Sequence, residues 1–360
     1  MSAAARARPR ALLACAPVTG FTGRPQRDLK ALTTRVLALA LLTIAECFAF
    51  QRLLFRDRPA YEFVLASISG VFSGYPVSKS WQHRFLGPSL VRAFDPLTHS
   101  PLGSLELFTW LGLLLANLLL FCLLQRRGAS AARSYLAVLC FGLVHMLYAY
   151  RLEYAWDGID VLLFMAFGFC VAQSGRRLAL LPLLVIGTLN HETALYIPFW
   201  YTLSIIPWRE SASGAPSPLR TRLAQALAAL AASAAMASTI WLLRERYYVG
   251  NPHLPEQTPE TQTPVISNHL HIAHNLWQLL VEDWRSRPRL SVTLWLLLFL
   301  LGRELVRRGR HARAALWTLC VFATIVCFGY VNETRHYLLL IAFWFAYAWP
   351  VRGGTEVVAG

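Results

Sequence analysis

Charge is what this chain has least of. Only 15% of its 360 residues are Asp, Glu, Lys or Arg, against 56% hydrophobic, and the mean hydropathy is +0.44. That balance excludes an ordinary water-soluble globular domain. The seven cysteines include no CxxC pair and none falls in the two long polar stretches, which excludes a disulfide framework and a structural zinc site. Also missing are a Gly-rich phosphate loop, a dinucleotide fingerprint and a serine-protease constellation, so cytosolic nucleotide chemistry is not indicated. No small-residue cleavage site follows the first apolar run, and the first helix is expected to be retained rather than removed as a signal peptide.

What is present is a succession of apolar runs with 12 Trp, 13 Tyr and 20 Phe, the aromatic load of a chain with many membrane-interface crossings. The net charge of +15 sits in short clusters between those runs, where it orients membrane segments; nucleic acid is not an expected partner. The fold class expected is all-α: a polytopic transmembrane helical bundle of about ten spans, some short or interrupted, with amphipathic helices in the external loops. The spans are placed at 33–55, 105–124, 135–150, 159–171, 178–189, 194–207, 223–243, 290–301, 314–331 and 337–349. A basic cytoplasmic leader (1–32) precedes one transmembrane domain (33–350) with external loops at 56–103 and 244–289, and a cytoplasmic tail (351–360) follows. Amphipathic or interfacial helices are expected at 61–72, 85–94 and 274–284. Glu46, inside the first span, is expected to face the bundle interior, because a carboxylate facing lipid is costly.

An N-terminus on the inner side puts Arg126 and Arg127, Arg176 and Arg177, and the run Arg303, Arg307, Arg308, Arg310 and Arg313 inside. Both termini are then cytoplasmic. The same orientation sends both long loops, the Asp157 to Asp160 segment, the His191–Glu192 vertex and the 332–336 junction to one outer face. The vertex is the hardest feature to reconcile with lipid. Asn190, His191, Glu192 and Thr193 interrupt an apolar stretch of about thirty residues, which is either one long broken helix or two short helices meeting at a polar point.

Three short motifs carry a resemblance: Arg84-Phe85-Leu86-Gly87-Pro88 in the first external loop, Trp156-Asp157-Gly158-Ile159-Asp160, and Leu189-Asn190-His191-Glu192-Thr193-Ala194. With the many spans, they make the chain resemble bacterial polytopic envelope proteins of the glycosyltransferase C or polysaccharide-polymerase class. The resemblance implies residence in the bacterial inner (cytoplasmic) membrane, a polyprenyl-phosphate-linked saccharide donor, a glycan acceptor and an acidic catalytic residue in the first external loop. Asp57 is the positional match for that acid, with Glu62 and Asp95 as competitors; the acid pair or Asp-aromatic dipeptide often found there is absent. Substrate-binding candidates are Arg84, Asp157, Asp160, His191, Glu192, Glu333 and Arg335. Arg84 suits a lipid phosphate or a headgroup, and Asp157 and Asp160 suit either one face of a helix or a helix start.

His191 and Glu192 are neighbours that a regular helix points in different directions, although a turn can bring both to one cavity. Asn332-Glu333-Thr334 resembles Asn190-His191-Glu192-Thr193 and hints at an equivalent helix-starting turn. His269, His271 and His274 lack a completing ligand and read as a solvated loop or an interfacial helix. The cofactor is unknown, with a divalent cation as an option. Two other functions fit the same features: a transporter of lipid-linked saccharide or small solute, and a noncatalytic assembly subunit partnered with other envelope-biosynthesis proteins.

Overall fold

The computed structural model describes residues 25–54, 58–73, 84–149, 154–172, 180–207, 218–247, 272–286, 288–307, 311–328 and 334–349. The chain divides into two units, Met1–Ala38 and Leu39–Gly360; of the first, residues 25–38 are described and helical. Among the described residues the structure is all helix and turn, without a strand. In chain order the helices are α1 (Pro25–Leu54), α2 (Arg58–Ser73), α3 (Leu86–Ala93), α4 (Asp95–Thr98), α5 (Pro101–Arg126), α6 (Ala131–Ala149) and α7 (Asp157–Ala172). Next come α8 (Leu180–Asn190), α9 (Tyr196–Thr202), α10 (Leu219–Tyr247), α11 (Ile272–Trp277), α12 (Asp283–Ser286), α13 (Pro288–Val306), α14 (Ala312–Phe328) and α15 (Leu338–Ala348). The amphipathic expectations fall on α2, on α3, which buries Gly87, Pro88 and Val91, and on the α11–α12 stretch joined by a π-helical turn at Gln278–Glu282.

Three described helices are long and apolar enough to cross a membrane, at Pro101–Arg126, Ala131–Tyr148 and Leu219–Leu243, and shorter apolar helices lie at Leu180–Asn190, Ala312–Phe328 and Leu338–Ala348. Large apolar side chains point outward: Phe48, Val185, Leu227 and Phe299 are each more than 60% exposed. In water such an exterior is a liability; around hydrocarbon it costs nothing, and it is compatible with a membrane protein.

Local sequence explains the main boundaries. Ser100 caps α5 by accepting from the Gly103 N–H, with Pro101 at the first helical position where its missing donor is harmless. Gly128, with φ of 84°, takes the left-handed position that ends α5. The interrupted stretch resolves as two short helices. α8 closes where His191 N–H reaches Gly187 O at 2.8 Å, His191 itself is extended, and a 3₁₀ turn at Glu192–Leu195 starts α9. With 11 residues α8 rises about 16 Å, roughly half of a bilayer core. A second 3₁₀ turn, Thr334–Tyr337, leads into α15 in the same manner, as the related Asn-Glu-Thr sequence suggests.

α7 is the centre of the bundle. Ten of its sixteen residues are buried, α15 lies along one side of it and α5 and α8 along others. Gly168 permits the close approach: a Cβ there would sit 2.5 Å from Phe343 O. Beside this crossing Phe167, Trp200, Trp317, Phe343 and Tyr347 form one aromatic cluster, with Trp317 and Phe343 centroids 4.6 Å apart.

Helix ends need donors for their last carbonyls, and here distant side chains supply them. Arg127 donates to Ala346 O at the end of α15 (2.6 Å), Arg313 to Trp200 O in α9 (2.7 Å) and Arg222 to Ile205 O (2.6 Å). Asn275 donates to Val326 O near the end of α14 (2.8 Å). Arg313 also stacks on Trp200 at 4.6 Å. Glu46 is buried inside the bundle, as expected.

Candidate functional site

α7 begins directly after Trp156, and its first turn holds both acids of the Trp156 to Asp160 segment on one side of the helix. Asp157 Oδ2 accepts from the Tyr154 N–H at 2.9 Å, so this residue secures the helix start, with Gly158 inside the helix rather than in a turn. Asp160 is buried and saturated with donors. Oδ1 accepts from Asn190 Nδ2 (2.8 Å), and Oδ2 accepts from Thr193 Oγ1 (2.7 Å) and lies 2.6 Å from His191 Nδ1. Asn190 Nδ2 also donates to Trp156 O at 3.0 Å. A helix N-terminus favours a carboxylate at this position, and so does each donor.

The break after α8 is what makes the vertex usable. His191 and Glu192 diverge, as adjacent residues do, yet they serve one place: His191 turns inward to Asp160 while Glu192 turns to Arg84. The Arg84–Glu192 pair is bidentate, with Nη2 to Oε1 at 2.6 Å and Nε to Oε2 at 3.2 Å. Arg84 also lies over the Trp156 ring at 4.7 Å. Its side chain is 7% exposed and that of Glu192 36%, so the pair is reached from the Glu192 side. His191 Nε2 is 3.7 Å from Glu192 Oε2, beyond a hydrogen bond.

Gly87 holds the first-loop motif against this cluster. A Cβ there would lie 2.6 Å from Ala155 O, so α3 can approach the Ala155–Trp156 backbone only through a glycine. A narrow cleft lined by Asp157, Asp160, His191, His336, Leu338 and Leu339 opens beside Asp160. The next residues of the same turn, Tyr337, Leu340 and Ile341, line a separate apolar groove, whose other walls are Leu294, Leu297 and Leu298 of α13 and Phe322 of α14.

Thus Arg84, Asp157, Asp160, His191 and Glu192, from three separated motifs, meet in one cluster. Other candidates stand elsewhere. Glu62 is exposed on α2. Asp95 accepts from Ser104 Oγ at 2.6 Å, in a turn network with Thr98 between α4 and α5. Asp57 and Glu333 lie outside the described residues, and Arg335 is placed in its 3₁₀ turn by its backbone alone. Sequence reasoning did not single out Trp156, Asn190, Thr193 and His336 as site residues. Their signal was membership of the same polar interruptions as residues that were chosen.

Among the described residues no three His, Cys, Asp or Glu side chains are arranged to hold a metal ion. A cation at Asp160 would have to displace the donors it already has. Chemically the cluster offers a cation held ready for an anion and an imidazole whose second nitrogen is directed by a carboxylate on the first. Comparison with protein-family models, curated proteins and solved structures finds no match, so the chemistry of this site rests on its own geometry.

Proposed function

We propose that this protein is a membrane glycosyltransferase or glycan polymerase that moves a saccharide from a polyprenyl-phosphate-linked donor to a glycan acceptor at the extracytoplasmic face. The observation that carries this reading is the adjacency, along one turn at the start of α15, of the polar Arg84–Glu192–His191–Asp160 neighbourhood and the apolar groove. A lipid-linked sugar phosphate has both a charged head and a hydrocarbon tail, and it needs both surfaces side by side.

In this reading Glu192 keeps the phosphate place of Arg84 occupied until donor phosphate replaces it. Asp160 accepts the Nδ1 proton of His191 and so leaves Nε2 as the basic nitrogen. The acceptor hydroxyl gives its proton to Nε2 while its oxygen bonds the anomeric carbon; the bond from that carbon to the phosphate oxygen breaks, and the leaving phosphate retains its charge against Arg84. His191 therefore takes the base role that sequence reasoning gave to Asp57.

The ten-span topology, with both termini cytoplasmic in a bacterial inner membrane, belongs to the same proposal. In its support, helix ends sort into two groups. The ends of α5, α9 and α15 and the starts of α10 and α14 share arginine contacts, whereas the starts of α7 and α15 and the end of α8 meet at the cleft.

The test is reconstitution of the purified protein with a panel of polyprenyl-phosphate and polyprenyl-pyrophosphate saccharides, following both new glycosidic product and movement of the donor between leaflets. Product that disappears in folded His191→Gln and Arg84→Ala supports transfer. Donor movement without product would replace transfer with transport, and neither activity across the panel would leave an assembly role.

A further inference from the structure

A second polar cluster lies within the apolar body, away from the cleft. α1 carries Thr43 and Glu46 one turn apart, α5 carries Asn117, and α6 carries Gly142 and His145 one turn apart; all five are buried. Asn117 Nδ2 donates to Glu46 Oε2 and to Thr43 Oγ1 (3.2 Å). Gly142 is the hollow that receives the carboxylate, since a Cβ there would overlap Glu46 Oε1 and Cδ. His145 follows Gly142 by one turn on the face of α6 that meets Glu46, and on Glu46's own helix Cys47 is adjacent, its thiol directed at Trp110 O.

This hollow is equipped with acceptors and short of donors. Glu46 Oε1 and Asn117 Oδ1 are buried and have no hydrogen-bond partner among the described residues. No Lys or Arg among them pairs with Glu46. An ionised carboxylate supported by a single amide is costly in such surroundings. The smallest ligand that relieves it is a proton.

We propose that Glu46, with Asn117, Thr43 and His145, forms an exchangeable proton-binding site inside the bundle, filled from the outer side through His145. His145 lines a small cavity together with Thr109, Tyr154 and Gly158, and the last two flank the first turn of α7, next to the polar cleft. A proton taken from water at that end passes by way of the imidazole to Glu46 Oε1 and converts the carboxylate to a neutral acid; release runs the same steps backward. The site uses none of the cleft side chains and so does not depend on the transferase reading; only the naming of the entry side as outer rests on the proposed topology.

Infrared difference spectroscopy of the full-length protein in lipid nanodiscs, between acidic and alkaline buffer, tests the site directly. The expected result is a protonated carboxylic-acid carbonyl band that grows on acidification, moves when glutamate is labelled with ¹³C at its side-chain carboxyl, and is lost in Glu46→Gln. Labelling limits the band to glutamate, and Glu46→Asp in the glutamate-labelled protein keeps an acid at the position while taking it out of the labelled set, which guards against a Glu46→Gln variant that fails to fold. His145→Gln removes the imidazole through which the proton passes, so after a pH jump the band should grow more slowly than in the unaltered protein. A titrating labelled band that is unchanged in both folded Glu46→Gln and folded Glu46→Asp overturns the site; growth at an unaltered rate in folded His145→Gln overturns the route.

Discussion

Three donors converge on Asp160, and that number is the residue-scale argument for its role. A carboxylate so held is fixed in place, and in the proposed mechanism it takes the Nδ1 side of His191 and leaves Nε2 facing the acceptor. Asp160→Asn leaves the packing intact but replaces one acceptor oxygen by a donor that competes with Asn190, His191 or Thr193. Transfer by the reconstituted protein should fall by about 10²- to 10⁴-fold, the range for loss of a positioned acid–base group. Unchanged turnover in a folded variant would remove His191 from the chemistry. Gly87→Ala tests the scaffold beneath the same site. Its new Cβ meets a backbone carbonyl rather than a flexible side chain, so thermal unfolding should report a loss of about 1–3 kcal/mol.

At the scale of helices, the recurring device is a side chain distant in sequence that supplies the donor for a helix's last carbonyls. Arg313 is the most committed example. It is buried, donates to Trp200 O and Ser204 Oγ, and stacks on the Trp200 ring. Arg313→Met should cost about 1.5–3 kcal/mol in thermal unfolding. Arg313→Lys should recover little of it, because an ammonium reproduces neither the fork nor the stack. Sequence reading could find the arginine clusters but not this use of them, since their partners lie more than a hundred residues away.

Legibility followed the same line elsewhere. The break at residues 190–193 was visible because polar residues interrupt an apolar run, and the inward direction of Glu46 followed from the cost of lipid exposure. Asp95 looked like a catalytic candidate because composition does not distinguish a loop acid from one bonded to Ser104. That the two acids of the Trp156 to Asp160 segment act differently, one at a helix start and one on His191, depends on which neighbours the fold supplies.

For the molecule as a whole, the proposed topology puts His99 and Arg307 on opposite sides of the membrane, and both are exposed. In a background without native cysteines, His99→Cys should react with a membrane-impermeant maleimide from outside intact cells, and Arg307→Cys only after lysis. Reaction of both from one side would overturn the ten-span arrangement.

The packing of α7 against α15 also sets an order of assembly. The helix that covers Asp157 and Asp160, and whose last turn satisfies Arg127, lies near the C-terminal end of the described chain. During synthesis the first turn of α7 and the guanidinium of Arg127 must therefore wait for their α15 contacts while well over a hundred further residues are made. A ribosome stalled before α15 holds a nascent chain in which Asp160 has its partners from residues 190–193 but the cleft still lacks the wall made by Leu338 and Leu339.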